Sequence, residues 1–182
     1  TDAAADAWAH ALAGLDEPTL LAPTHRPGRT AAVSQDLDLD LPGGLAARLD
    51  AVAADRGVTV NTVVQTAWAL VLGALTGRDD VVFGATVSGR PPQVTGIESM
   101  VGLFINTVPV RVTVRPAETL GALLDRVQAE QAAMLDHHHI GLSAIERRVG
   151  AAVGFDTLTV FESYPVDRAG LTEDTDIAGM RV

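Results

Sequence analysis

The stretch Val-Val-Phe-Gly-Ala-Thr-Val, residues 81–87, decides the fold. It is a continuous apolar run bounded by polar residues, so we predict a strand that is covered on both faces. A second run, residues 103–114, alternates between apolar and polar residues from Val108 onward. Pro109 within it favours an edge strand or a bulge. Two such strands among helical segments predict an α/β domain with a mixed β-sheet and packed helices.

Helical patterns flank both strands. The third of them is apolar nearly all round and carries no charge, but it is too short to span a membrane, so we interpret it as a buried core helix. Thr59 or Asn61 offers its N-terminal cap. The predicted helices are residues 1–14, 45–57, 62–75, 116–135 and 142–149.

Residues 32–41 alternate strictly between two kinds of side chain. Leu37, Leu39 and Leu41 fall on one face, and the acidic residues Asp36, Asp38 and Asp40 fall on the other. This period of two predicts a half-buried strand with a solvated acidic face. A calcium site is disfavoured, because side chains on a flat strand diverge instead of wrapping an ion.

The composition excludes several classes of function. The 182 residues carry 23 acidic and 13 basic side chains, all of the latter Arg, for a net charge of −10, and there is no Cys. Disulfides, thiolate nucleophiles and Cys-ligated metals are therefore excluded. The acidity argues against nucleic-acid binding, and no stretch predicts a membrane span or a targeting peptide. We expect a cytoplasmic domain.

No residue pattern defines an active site without further context. The three adjacent side chains His137, His138 and His139 point in different directions on a regular element, so we favour an imidazole-rich helix C-terminus over a metal site. Ser88 and Ser143 lack the glycine setting of a nucleophile elbow. A phosphate-binding loop of the Gly-Lys-Ser/Thr type is impossible without Lys. We therefore predict no catalytic and no metal-binding residue in this chain.

Several phrases taken together are similar to one family. The run Val-Gly-Leu-Phe-Ile-Asn-Thr-Val-Pro-Val-Arg, residues 101–111, resembles the fifth signature motif of the condensation domains of nonribosomal peptide synthetases. Further matching phrases occur in the same order along the chain, at residues 15–21, 76–84, 87–91, 130–142 and 155–165. The resemblance covers essentially the whole chain and corresponds to the C-terminal half of such a domain.

The resemblance implies a chloramphenicol acetyltransferase-like fold, in which two α/β subdomains form a V with a tunnel between them. Residues 1–30 would be an interdomain segment and residues 31–182 a truncated C-terminal subdomain. The N-terminal subdomain would be absent. We expect the chain to pair with that missing subdomain or with a second copy of itself.

The family forms an amide bond between a carrier-bound donor thioester and a carrier-bound acceptor amine. Phosphopantetheine would be presented by the partner carrier domains, and no cofactor would be bound by this chain. A His-His-x-x-x-Asp-Gly motif assists the reaction in the family. Here His138-His139 is followed by Ile140-Gly141-Leu142 in a later motif, so it is not that catalytic pair. The full domain would be an amide-forming acyltransferase, and we expect this chain alone to be inactive.

The resemblance also assigns site residues. The loop of residues 88–98, termed the floor loop, would form the floor of the tunnel through Gly89, Arg90 and Pro91. Arg90 would clamp a partner carboxylate, or would simply be a solvated turn residue. Asn106 would hold a backbone or substrate carbonyl beside the tunnel, with a structural role at the strand end as the alternative.

Three other functions remain open. The first is a catalytically silent relative that docks carriers or recruits a tailoring enzyme. The second is an epimerisation domain, which the Phe-Ile-Asn-Thr wording of residues 104–107 disfavours. The last is a stand-alone metalloprotein using the three histidines. Carrier docking would rest on apolar contact or on Arg147 and Arg148, because carriers of this class are acidic like this chain.

Overall fold

Two antiparallel strands form the centre of the molecule. In the computed structural model, β1 (Asp80–Ser88) pairs with β2 (Ile105–Thr113) in an unbroken register that places Phe83 opposite Val110. A short third strand, β3 (Leu158–Thr159), runs parallel to β1 on its other side. The structure describes residues 2–22, 34–90, 94–162, 176–177 and 180–181. Within them β2 lies at an edge of the sheet and has no bulge, which confirms the first of the two readings of Pro109.

Helices cover both faces of this sheet, which confirms the predicted α/β class. Thr59 caps the third helix by accepting a hydrogen bond from the Thr62 amide at 3.0 Å, as predicted. Two short strands, β4 (Asp176–Ile177) and β5 (Met180–Arg181), pair antiparallel in a separate two-stranded sheet. The helices are α1 (Asp2–Ala11), α2 (Leu45–Arg56), α3 (Val60–Thr76), α4 (Leu120–Met134) and α5 (Leu142–Val149).

The core has one apolar cluster on each side of the sheet. One cluster joins Trp8 of α1 and Ile145 of α5 to Val82. The other joins Leu72 of α3 and Leu123 of α4 to Phe83. Because β1 is buried on both faces, the prediction from its continuous apolar run is confirmed. Complete burial of a side chain such as Phe83 stabilises the fold by roughly 1.5–3 kcal/mol.

Two helix predictions need correction. α4 begins at Leu120 and not at Pro116, because the Thr119 hydroxyl accepts from the Ala122 amide and caps the helix there. α3 is not buried all round, since it buries one face against the sheet and exposes Leu75 on the other. Among the described residues no single helix is long and apolar enough to cross a membrane. α2 and α3 taken together have that length and composition, but the chain bends by 105° between them.

The predicted strand at residues 32–41 is wrong for this structure. Residues 34–42 have no regular secondary structure, and their leucines are turned to solvent, with Leu37 91% and Leu39 83% exposed. Alternation alone does not form a strand, because the backbone also needs a neighbouring strand to bond. Residues 32 and 33 lie outside the part of the chain that the structure describes.

Candidate functional site

The floor loop begins at Ser88, where β1 ends. Its second residue, Gly89, lies against the backbone that leads into β2. The amide of Gly89 donates to the carbonyl of Phe104 at 2.6 Å. A Cβ atom at Gly89 would come closer to that carbonyl oxygen than the 3.0 Å limit of real contacts. Because the obstacle is backbone, it cannot move aside cheaply. Only glycine fits here.

Arg90 is engaged inside the chain. Its guanidinium donates to the carbonyls of Ile97 and Met100, the latter at 3.0 Å. The same group lies 4.1 Å from the centre of the Phe104 ring, in a cation–π contact. Arg90 therefore ties both ends of the described loop together. The observed contacts favour neither the predicted carboxylate clamp nor the solvated turn residue.

Asn106 holds the turn that carries the histidines. The segment of residues 136–140, termed the histidine turn, begins within the 3₁₀ turn (Leu135–His137) that follows α4. The two N–H groups of the Asn106 side chain donate to the carbonyls of His138 and Ile140, each at 2.7 Å. Its Oδ1 accepts from the Thr107 amide at 2.9 Å. The Asn106 side chain therefore binds backbone carbonyls of its own chain, a contact that both predicted alternatives allow.

A second contact, from α1, fixes the same turn. The indole N–H of Trp8, a buried residue of α1, donates to the His137 carbonyl at 3.1 Å. The Nδ1 atom of His139 lies 2.9 Å from the Asp136 carbonyl oxygen. The backbone of the turn is thus fixed by α1 and by the first part of β2. Its position is defined independently of any ligand.

The imidazole of His138 is partly buried beside His137. Burial disfavours its charged form and is the main cause of a lowered pKa, and the neighbouring imidazole lowers the pKa further. The neutral form of the His138 imidazole therefore predominates at pH 7. Among the described residues, no group of three His, Asp or Glu side chains is placed to hold a metal ion.

His138 gives the fold a pH dependence that can be measured. Because its pKa is lower in the folded chain than in the unfolded one, the stability that it contributes is complete above the unfolded value of about 6.5. It is lost as the pH falls through the lowered folded value. We expect His138→Gln to reduce the loss of unfolding free energy between pH 7 and pH 5, measured by urea titration. The control is His10→Gln on the exposed face of α1, and an equal reduction in both variants would contradict the assignment.

An apolar strip adjoins the floor loop. Four large side chains in the connection to β2 are turned to solvent, with Val101 fully exposed, and they are Met100, Val101, Leu103 and Ile105. Contiguous exposed apolar residues of this kind mark surfaces that other protein parts cover. The strip and the floor loop lie at the same corner of the sheet, because Ser88 pairs with Ile105.

The structure brings together three of the four predicted site residues. Gly89 and Arg90 lie at the end of β1 and Asn106 at the start of β2, where it pairs with Val87. Pro91 lies outside the described residues. Sequence reasoning missed Phe104 as a site residue. Its carbonyl accepts the hydrogen bond from Gly89, and its ring contacts the Arg90 guanidinium. The binding roles of the four residues stay predictions, because the contacts seen here are internal to the chain.

Comparison with known proteins agrees with this geometry. The family model described as "Condensation domain" matches residues 2–181. Chondramide synthase cmdD of Chondromyces crocatus is 48% identical over 128 residues, which are 69% of this chain and 3% of that protein. Bacitracin synthase 3 of Bacillus licheniformis is 32% identical over 171 residues, which are 93% of this chain and 3% of that protein.

Solved structures give the same result. The first condensation domain of the calcium-dependent antibiotic synthetase, in complex with a substrate analogue, superposes with a TM-score of 0.72 at 27% identity. That match covers 91% of this chain and 38% of the other. The X-domain from teicoplanin biosynthesis gives 0.65 at 28% identity, covering 81% of this chain and 33% of the other.

The chain belongs to the condensation-domain family of nonribosomal peptide synthetases, and its fold is that of solved condensation domains. The resemblance noted in the sequence is confirmed. The chain spans 3% of the length of the curated relatives named above and about a third of the solved chains.

Proposed function

We propose that this chain is the second half of a condensation domain that joins a donor acyl thioester to an acceptor amine. The observation that carries the proposal is the match of residues 2–181 to the family, together with a corner in which the floor loop and Asn106 are both held by backbone contacts. In this proposal residues 1–30 are the interdomain segment and residues 31–182 the C-terminal subdomain. An N-terminal subdomain precedes it.

The reaction makes one bond and breaks one. The nitrogen of the acceptor amine attacks the donor carbonyl carbon, a C–N bond forms, the C–S bond breaks, and the phosphopantetheine thiol of the donor carrier leaves. The amine loses a proton, which ends on the departing sulfur or in water. The sequence contains no His-His-x-x-x-Asp-Gly, so we assign the proton-handling imidazole to the N-terminal subdomain.

In this proposal the C-terminal subdomain positions the two substrates. Holding an amine and a thioester in reactive geometry lowers the barrier by as much as about 7–11 kcal/mol relative to free reactants. The floor loop supports such a geometry, because Arg90 ties Ile97 and Met100 together and Gly89 anchors the loop to Phe104.

The proposed partners are two carrier domains and the N-terminal subdomain. The net charge of −10 gives no long-range attraction for acidic carriers, so docking would rest on apolar contact or on local Arg residues such as Arg147 and Arg148 of α5. The apolar strip next to the floor loop is the surface that we assign to the N-terminal subdomain. No cofactor is assigned to this chain.

The proposal is tested with the 182-residue chain and both loaded carriers. We expect no amide product above the rate without protein, read by mass spectrometry of the acceptor carrier, because one wall of the tunnel and its imidazole are missing. The control adds heat-unfolded chain at the same concentration. Product formed by the folded chain alone would contradict the assignment of the reaction to two halves.

A second candidate is a condensation-like domain that docks carriers without catalysis. It is compatible with a sequence in which no His-His-x-x-x-Asp-Gly occurs. Reading the residues that precede position 1 in the coding sequence separates the two. An intact His-His-x-x-x-Asp-Gly favours the enzyme, and its absence favours the docking domain.

A further inference from the structure

A groove of about 1090 Å³ runs along the outer edge of β2, between α1 and α4. Ser88, the first residue of the floor loop, and His138 of the histidine turn both line it. Thr59 and Gln128 line it further along α4. Ten residues separate Gln128 from His138, so the groove is about 15 Å long between them. It therefore leads from the corner of the floor loop along the edge of the sheet.

Two side-chain amides in this groove are held by their oxygen atoms. The Oε1 atom of Gln128 accepts from the Thr59 amide at 2.9 Å and from the Thr62 hydroxyl at 2.7 Å. Gln65, which is only 4% exposed, accepts from the Gln131 side chain at 2.6 Å. In the described part of the chain the NH₂ groups of Gln65 and Gln128 have no acceptor. The groove therefore presents fixed hydrogen-bond donors that nothing in this chain uses.

The strand edge adds a backbone donor and a backbone acceptor. The amide of Gly84 donates to Thr157, on the side away from β2, and the Val114 amide donates to Asp79. These bonds alternate in an antiparallel pair, so the N–H and C=O of Arg111 point away from β1 and into the groove. Neither group has a hydrogen-bond partner among the described residues. Arg111 can therefore bond both the C=O and the N–H of an extended chain.

Most of the charged side chains along the groove are paired with one another. The ion pairs are Arg126 with Glu118 and Glu130, at 2.7 and 3.2 Å, and Arg111 with Asp80 at 2.7 Å. Arg115 is the one lining Arg without an ion pair among the described residues. A groove with paired charges and free amide groups fits an uncharged ligand that carries C=O and N–H groups along its length. A peptide backbone has this chemistry.

We propose that the groove binds the peptidyl part of the donor substrate as an extended chain beside β2. This inference rests on the proposed function, which puts the donor thioester at the corner of the floor loop. A strand edge binds a peptide by continuing the ladder of backbone hydrogen bonds, and Gln65 and Gln128 donate to further carbonyls of that peptide. About 15 Å accommodates roughly four to five extended residues. The donor is then a peptide made by earlier amide formation and not a single aminoacyl unit, because each product stays on its carrier and becomes the next donor.

Titration of the full chain, followed by nuclear magnetic resonance, tests the proposal. The probe is N-acetyl-tetraalanine N-methylamide, an uncharged peptide without a thioester. We expect it to shift the backbone amide signal of Arg111 and the side-chain amide signals of Gln65 and Gln128. The control ligand is octanoyl N-methylamide, an acyl chain that lacks the repeated amides, and we expect it to leave these signals in place.

Gln128→Glu removes one of the donors and leaves the surrounding contacts in place. The carboxylate keeps an oxygen for the Thr59 amide and the Thr62 hydroxyl, but its second oxygen repels a peptide carbonyl. We expect the dissociation constant of the peptide to rise about tenfold. The matched control is Gln35→Glu, which makes the same change of charge at an exposed residue and should leave the affinity unchanged. The signals of Phe83, in the centre of the sheet, report that each variant is folded.

No shift with the peptide, equal shifts with the octanoyl ligand, or an undiminished affinity in folded Gln128→Glu would each overturn the proposal. The probe cannot react, so its binding is measured separately from catalysis. Peptide binding together with a failure of the two halves to form an amide would contradict the proposed function and support the groove as a peptide site. Amide formation without peptide binding would overturn the assignment of the groove alone.

Discussion

Gly89→Ala is expected to lower the free energy of unfolding by about 2–3 kcal/mol, in the range for forced overpacking. The new methyl group would meet the Phe104 carbonyl oxygen, and separating the two would also lengthen the 2.6 Å hydrogen bond from Gly89 to the same carbonyl. The loop would then move away from β2. Urea unfolding followed by circular dichroism measures the change.

The control for this variant is Gly43→Ala. Gly43 lies in the turn before α2, and a Cβ atom there has no neighbour within 4 Å. We expect a change within about 0.5 kcal/mol, as for surface positions without special contacts. Equal losses in the two variants would show that the contact with Phe104 does not determine the position of the loop.

Asn106→Ala is expected to cost about 2–3 kcal/mol of unfolding free energy, because two carbonyls lose their donors and each unsatisfied group costs about 1–3 kcal/mol where water cannot replace the bond. We also expect the nuclear magnetic resonance signals of the His138 ring to move toward those of an exposed imidazole. Both effects follow from release of the histidine turn.

A matched asparagine is available as the control. The side-chain oxygen of Asn61, in the first turn of α3, is buried and has no hydrogen-bond partner among the described residues. Replacing it by Ala removes an unsatisfied group, so the unfolding free energy should change by less than about 0.5 kcal/mol. If Asn61→Ala were as damaging as Asn106→Ala, the clamp on the His138 and Ile140 carbonyls would not explain the loss.

Local signals in the sequence were sufficient where one residue fixes the backbone. α2 ends at Arg56, one residue before the predicted end, because Gly57 adopts a left-handed conformation, and α5 spans the predicted residues. The start of α4 was mistaken because Pro116 is a good first residue of a helix, while the Thr119 cap three residues later is the one used. Competing caps cannot be ranked without the packing around them.

Tertiary contacts could not be read in the same way. The resemblance found Gly89, Arg90 and Asn106, but their partners depend on how the loop closes on Phe104 and how the histidine turn meets β2. Trp8 was recognised as helical, and a buried indole needs an acceptor, yet that acceptor lies 129 residues away at His137. At residues 34–41 the local pattern was clear and the tertiary contact was lacking. Their alternation is typical of a strand, but no strand pairs with them in this structure.

The most direct test is the formation of the amide product when the chain is mixed with the N-terminal subdomain that we propose as its partner. Both carriers are loaded, and the product on the acceptor carrier is followed by mass spectrometry in a single turnover. We expect product only when both halves are present, and less of it with Gly89→Ala. Reconstitution that binds both carriers and yields no amide would contradict the assignment of this chain to an amide-forming domain.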